Sequence, residues 1–138
     1  MLDRAAIDRQ LQTHYDDVWR AGDAWEFHSS AYERQRFAEQ LSLLAGRRYP
    51  RALEIGCGGG HFTQMLASIA DRVLALDVSA EAIAQARGPL QASGHNNVDL
   101  QTANVVEFDF LAEGPFDLIV LSETIYCLGW LYSFFDLV

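Results

Sequence analysis

Leu53-Glu54-Ile55-Gly56-Cys57-Gly58-Gly59-Gly60-His61-Phe62-Thr63 joins an apolar strand end to an acid, then sets glycines at alternate positions: Gly56, Gly58 and Gly60. A helical pattern follows at once, with Phe62, Met65, Leu66, Ile69 and Ala70 on one face. Glycines at this spacing let the chain turn sharply and let a ligand lie against bare backbone, where a Cβ would collide. The turn delivers that ligand to a helix N-terminus, whose first N–H groups have no partner inside the helix. This is the form of a nucleotide-type cofactor loop.

Downstream, Arg72 to Leu76 is a short, mostly apolar run that closes on Asp77, and Val78-Ser79 opens the next helix. An acid ending the second strand of a βαβ unit, about 20 residues past the glycines, is placed to grip a ribose hydroxyl pair. Dinucleotide enzymes use such an acid too, so Asp77 alone does not choose the cofactor. The glycines do: G-x-G-x-x-G read from Gly56 needs glycine at position 61, where this chain has His61.

Outward from this core the pattern is regular. Ile7, Leu11, Tyr15 and Val18 mark one face of a helix over residues 2–20, broken by Gly22-Asp23. A second helix is predicted from Ser29-Ser30 through Phe37, Leu41 and Leu44 to Gly46, with Pro50 separating it from the core. Strands are predicted at 52–55, 72–77, 98–103 and 116–122. Helices fall at 61–70 and after Ser79, the second with Ala82, Ile83, Ala86 and Leu90 on one stripe. Alternation of this kind implies an α/β fold, a doubly wound parallel sheet with helices on both faces.

Composition narrows the function. Of 138 residues, 50% are apolar and 21% charged, enough for one domain with a real core. A formal charge of −9 and scattered Lys and Arg argue against nucleic acid as partner, because phosphates are held by basic groups. No apolar run approaches the ~20 residues of a membrane span, and the charged start MLDRAAIDRQ does not read as a signal peptide. A cytoplasmic protein is expected, without membrane partners. Cys57 and Cys127 lie far apart, and His14, His28, His61 and His95 have no partners at ligand spacing, so no metal site is expected. Cys57 reads as a small loop residue without a catalytic part.

The spacing E-x-G-x-G-x-G from Glu54, followed by Asp77 and the strand Phe116–Ser122, resembles the class I S-adenosylmethionine (SAM)-dependent methyltransferases over residues 51–126. More narrowly, Asp23-Ala24-Trp25, Ala31-Tyr32-Glu33-Arg34 and Asp117-Leu118-Ile119-Val120-Leu121-Ser122-Glu123 resemble the NodS-type nodulation methyltransferases. The resemblance implies a Rossmann-like sheet with strand order three-two-one-four in this half. It makes residues 1–50 a helical lid and 51–138 the SAM-binding domain. Gly56, Gly58 and Gly60 would pass beside the amino-acid part and ribose of the cofactor. Glu54 would receive its amino group, Asp77 both ribose hydroxyls, and Val78 would pack on the adenine. Asn104 stands where the family commonly has Asp facing the adenine 6-amino group, and offers a side-chain oxygen there instead. Ser122 would close the fourth strand beside the methyl-donor centre. Glu123 is the candidate base for an oxygen acceptor; a nitrogen acceptor needs none. Plainer alternatives are a loop brace for Glu54, a helix cap for Asp77 and core or lid packing for Trp25 and Tyr126.

The activity implied is methyl transfer to a nitrogen or oxygen of a small molecule, with an amino sugar suggested by the NodS resemblance. Absence of an Asn/Asp-Pro-Pro-Tyr/Phe run after the fourth strand disfavours an amino-methylating DNA enzyme. The family's sheet has seven strands, and Gly129–Val138 reads only as the entrance to the next helix. The expectation is therefore a C-terminally truncated domain with strands five to seven missing. Its fourth strand would be an exposed edge open to oligomerisation or a complementing fragment. An inactive SAM-binding remnant is the alternative reading, and a Rossmann oxidoreductase the third.

Overall fold

The protein is described by a computed structural model over residues 3–22 and 30–121. Expectations for Trp25, Ser122, Glu123, Tyr126 and the 129–138 segment concern residues outside these.

Two helices lead the chain. The first, α1 (Arg4–Arg20), starts at Asp3, whose carboxylate accepts the Ala5 N–H at 3.3 Å. Its buried stripe runs through Leu11 and Trp19, with Ile7, Tyr15 and Val18 half-buried beside it. The second, α2 (Ala31–Leu44), is capped by Ser30, whose hydroxyl accepts the Glu33 N–H at 3.3 Å. Phe37 of α2 stacks on Phe62 with ring centroids 5.7 Å apart, which docks this helix on the core.

The core is β1 (Tyr49–Ile55), α3 (His61–Ile69), β2 (Ala70–Asp77), α4 (Ala80–Ala92), β3 (Val98–Thr102), the short α5 (Phe110–Glu113) and β4 (Leu118–Leu121). The strands are parallel, as the alternation of elements predicts, and stand in the order β3-β2-β1-β4 that the methyltransferase resemblance implies. Alternation divides the core in two. Ala52, Val73 and Ala75 face Phe62, Leu66, Ala67 and Ile83 of α3 and α4. Leu53, Ile55, Leu74 and Leu76 face Val105, Phe108, Phe110 and Phe116 of the β3–β4 crossover. Right-handed crossovers explain this: moving from β1 outward to β3 puts α3 and α4 on one face, and returning to β4 puts its connection on the other. That return reverses the sheet's direction of growth beside β1. The reversal puts the topological switch point at the carboxyl ends of β1 and β4, the usual ligand position in such folds.

Three differences from expectation have local causes. Pro50 does not separate helix from core but is the exposed second residue of β1, a place near a strand start that tolerates its missing N–H. β2 begins at Ala70, directly on the end of α3, where Asn97 Nδ2 donates to the carbonyls of Ala67 and Ala70 at 2.9 Å each. Arg48 adds bonds to the Ser68 and Ala70 carbonyls and pairs with Asp71, so this helix end needs no loop. α5 has four residues, too few for periodicity to reveal; Asp109 caps it by accepting the Ala112 N–H at 3.0 Å.

β4 is entered by a reciprocal lock: the Asp117 N–H donates to the Arg51 carbonyl at 2.8 Å and its carboxylate accepts the Arg51 N–H at 2.9 Å. Among the described residues β4 is an outer strand, and Ile119 on it is 54% exposed. No described helix is long and apolar enough to cross a membrane.

Candidate functional site

The site begins where β1 and β2 end side by side. Their register pairs Glu54 with Ala75 and Ile55 with Leu76, so the two acids, Glu54 and Asp77, flank one turn. Past Ile55 the chain leaves the sheet, held by the Gly56 and Cys57 N–H groups, which donate to the Leu76 carbonyl at 2.8 and 3.0 Å. Asp77 then fixes the turn from the next strand. Its Oδ2 accepts the Gly58 N–H and its Oδ1 the Ser79 N–H, both at 2.9 Å. One carboxylate thus ties the glycine turn to the entry of α4. Ser79 completes that entry by accepting the Ala82 N–H at 3.2 Å.

The three glycines have different parts. Gly58 has φ +54, and a Cβ on it would come within 2.7 Å of Trp19 Cζ2; the next residue, Gly59, faces the same indole. Gly60, with φ +82, caps α3 and faces α4, where its Cβ would lie 3.1 Å from that of Ala86. The missing side chain at Gly60 therefore allows close packing of α4 on the turn. Gly56, with φ +76, makes the turn off β1.

Glu54 is buried, at 2% exposure, and its Oε2 accepts the Thr63 hydroxyl at 2.6 Å. Burial pushes its pKa up to about 8; the Thr63 bond pulls it down and the Asp77 carboxylate pushes it up again. Asp77 is also raised, first by burial. The Ser79, Gly58 and Val78 N–H groups counter this, while Asp16 adds to it. Burial and the same two acids push the Cys57 thiol well above its ordinary value, which fits a structural cysteine.

Sequence reading missed the part α1 plays here. Asp8 accepts from Asn104 Nδ2 at 3.0 Å, and Asn104 Oδ1 accepts the Val106 N–H at 3.1 Å. The side-chain oxygen expected to face a ligand is thus engaged by its own turn. Asp16 accepts the Ser79 hydroxyl at 2.6 Å and the Glu81 N–H at 3.3 Å. Trp19 lies on Gly58 and Gly59, and its carbonyl accepts from Gln85 Nε2 at 2.7 Å. Asp8, Asp16 and Trp19 fall eight and three residues apart, so one side of α1 touches the β3 end, the α4 entry and the glycine turn in succession. Only pairing across the fold reveals this; Trp19 as the large apolar residue nearest the helix end was the available signal. Val78 is half-buried beside Asp77.

Comparison with known proteins places the sequence and the fold. Nodulation protein S of Rhizobium tropici is 37% identical over 110 residues, covering 79% of this chain and 44% of that protein. The structure titled N-methyltransferase NodS from Bradyrhizobium japonicum WM9 in complex with S-adenosyl-L-homocysteine (SAH) is 30% identical, with a TM-score of 0.55. That match covers 83% of this chain and 53% of the other. DhpI in its SAH complex matches at 26% identity and a TM-score of 0.63, over 85% of this chain and 53% of that one. The chain spans about half the length of the curated relatives it matches. The sequence model of the Nodulation protein S (NodS) family matches residues 8–131, from α1 through the glycine turn and beyond β4, and the chain belongs to that family.

Proposed function

We propose that this chain binds SAM across the glycine turn and serves a methyltransferase acting on a small-molecule nitrogen or oxygen. The observation that carries the reading is the pair of acids, Glu54 and Asp77, on adjacent strand ends around Gly56–Gly60. The residues fit the cofactor. An ionised carboxylate has about four lone-pair positions, and Asp77 takes the Gly58 N–H on one oxygen and the Ser79 N–H on the other, with acceptor capacity left for ribose hydroxyls. Glu54, buried and next to a second acid, suits the cationic amino end. Val78 would pack on the adenine and Asn104 would border it, while Ser122 would lie toward the methyl-donor centre.

When bound, SAM supplies a methyl group on a sulfonium, with a neutral thioether as leaving group. The chain's own task is then to fix the cofactor and exclude water while an acceptor approaches in line. The helices of residues 1–50 act as the lid, with Trp19 displaced from Gly58 when a ligand lies there. A nitrogen acceptor needs only to arrive unprotonated; for an oxygen acceptor Glu123 is the candidate base. Nitrogen is favoured by the Bradyrhizobium relative, an N-methyltransferase. An amino-sugar amine is the finer form of this reading, and a cytoplasmic setting goes with it.

Methyl-labelled SAM offered with free amino sugars, and with the same sugars N-acetylated, tests the proposal. Label on the free amines alone supports it. SAH binding without label on any acceptor favours the second reading, a SAM-binding chain without turnover.

A further inference from the structure

We infer that Thr63 is a positioning residue of this site: its hydroxyl holds one oxygen of Glu54 and so aims the other at the ligand's cationic end, whose arrival displaces the Glu54 proton to solvent. The inference rests on the proposed SAM site and adds to it the side chain that sets the acid and the proton that moves.

Four observations lead here. Thr63 and Glu54 are both buried, and the Oγ1–Oε2 distance of 2.6 Å is within hydrogen-bond range. Thr63 is the third residue of α3, immediately behind the glycine turn, so the helix that packs on the turn also fixes the acid beneath it. Among the described residues, the ionisable group acting on Glu54 is Asp77 from β2, which raises its pKa, and Glu54 in turn acts on the Cys57 thiol of the turn; neither neighbour brings positive charge. Burial meanwhile favours the uncharged acid. A buried carboxyl with one neutral partner and an acidic neighbour stays protonated until a cation is seated against it. The proton leaves Glu54 for buffer as the ligand's ammonium takes its place; no bond to carbon changes and no co-reactant is needed.

The test is calorimetric titration of the whole chain with SAH, across pH 6 to 9, in pairs of buffers with different ionisation heats. Wild type should release about one proton per SAH at pH 7, falling by half near pH 8. Thr63→Val keeps the shape but loses the hydroxyl. It should weaken SAH about tenfold or more and move the half-point to higher pH, because the bond it removes favours the charged acid. Thr63→Ser should restore both. Glu54→Gln should weaken binding and abolish the pH-dependent release. Circular dichroism melts establish that each variant is folded; in a Thr63→Val chain that does not fold, the Thr63→Ser and Glu54→Gln profiles decide. Weaker binding and a higher half-point in Thr63→Val, both restored in Thr63→Ser, support the inference. A folded Thr63→Val that matches wild type in affinity and half-point, while Glu54→Gln is weakened, overturns this inference alone. Wild-type affinity in Thr63→Val, Glu54→Gln and Asp77→Asn together overturns the SAM-site reading and this inference with it.

Discussion

The Trp19 indole lies against the α-carbon of Gly58, so close that a Cβ there would sit 2.7 Å from Cζ2. The first helix therefore covers the face of the turn that the sequence reserves for a ligand. A ligand on that backbone and the indole exclude one another. Addition of SAH should change the indole emission of the wild-type chain, and Trp19→Phe should remove most of that change. An unaltered emission change in Trp19→Phe would show that Trp19 stays where it is.

Gly58→Ala combines two costs. The φ of +54 is left-handed, about 1 kcal/mol or more for a residue with a Cβ, and the methyl meets Trp19. The expected loss is about 2 kcal/mol of stability, read by urea denaturation, together with weaker SAH binding. A loss within 0.5 kcal/mol would be of the size of ordinary surface substitutions, about ±0.5 kcal/mol, and would contradict the packing described.

Glu54 gives the chain a pH dependence whose sign follows from its raised pKa. In the unfolded chain it titrates near the ordinary value of 4.5; in the folded chain near 8. Between these the folded state holds more protons, so its contribution is complete below pH 4.5 and is lost as pH rises to 8. The gradient is about 1 kcal/mol per pH unit at most positions in that window. Asp77 is shifted in the same direction. Glu54→Gln should flatten the dependence in part and melt higher than wild type at pH 8. Equal slopes for the two chains would refute the buried, uncharged acid.

Asn97 is a control far from the turn. Its Nδ2 satisfies the Ala67 and Ala70 carbonyls at the α3–β2 junction. Asn97→Ala should cost about 1–3 kcal/mol and leave SAH affinity unchanged at a temperature where the chain is folded. A large drop in affinity would mean that the junction communicates with the site.

Local signals made the sheet and the turn legible. The alternating glycines, the stripe Phe62-Leu66, the Ser79 cap and the apolar strands each lie within one element, and they yielded the parallel α/β sheet, while its order β3-β2-β1-β4 came with the methyltransferase resemblance. Nearness to that turn also picked out Glu54 and Asp77, since both end strands. What stayed hidden is contact across the chain. Asp16 meets Ser79 and Asp8 meets Asn104 through sequence separations of 63 and 96 residues, and no periodicity encodes a polar pair that distant. The closeness of Gly60 to Ala86 was hidden in the same way, because Ala86 belongs to another helix. Ser122 and Glu123 lie outside the described residues.

The central claim is that Asp77 and the glycine turn form a SAM-type cofactor site. Its most direct test is calorimetric titration of the chain with SAH, beside Asp77→Asn, which keeps one acceptor oxygen to hold the turn, and with NAD as control. Saturable binding of SAH, weakened about tenfold or more in Asp77→Asn and absent with NAD, is the result predicted. A folded chain that ignores SAH, prefers NAD, or binds SAH equally well as Asp77→Asn would contradict it.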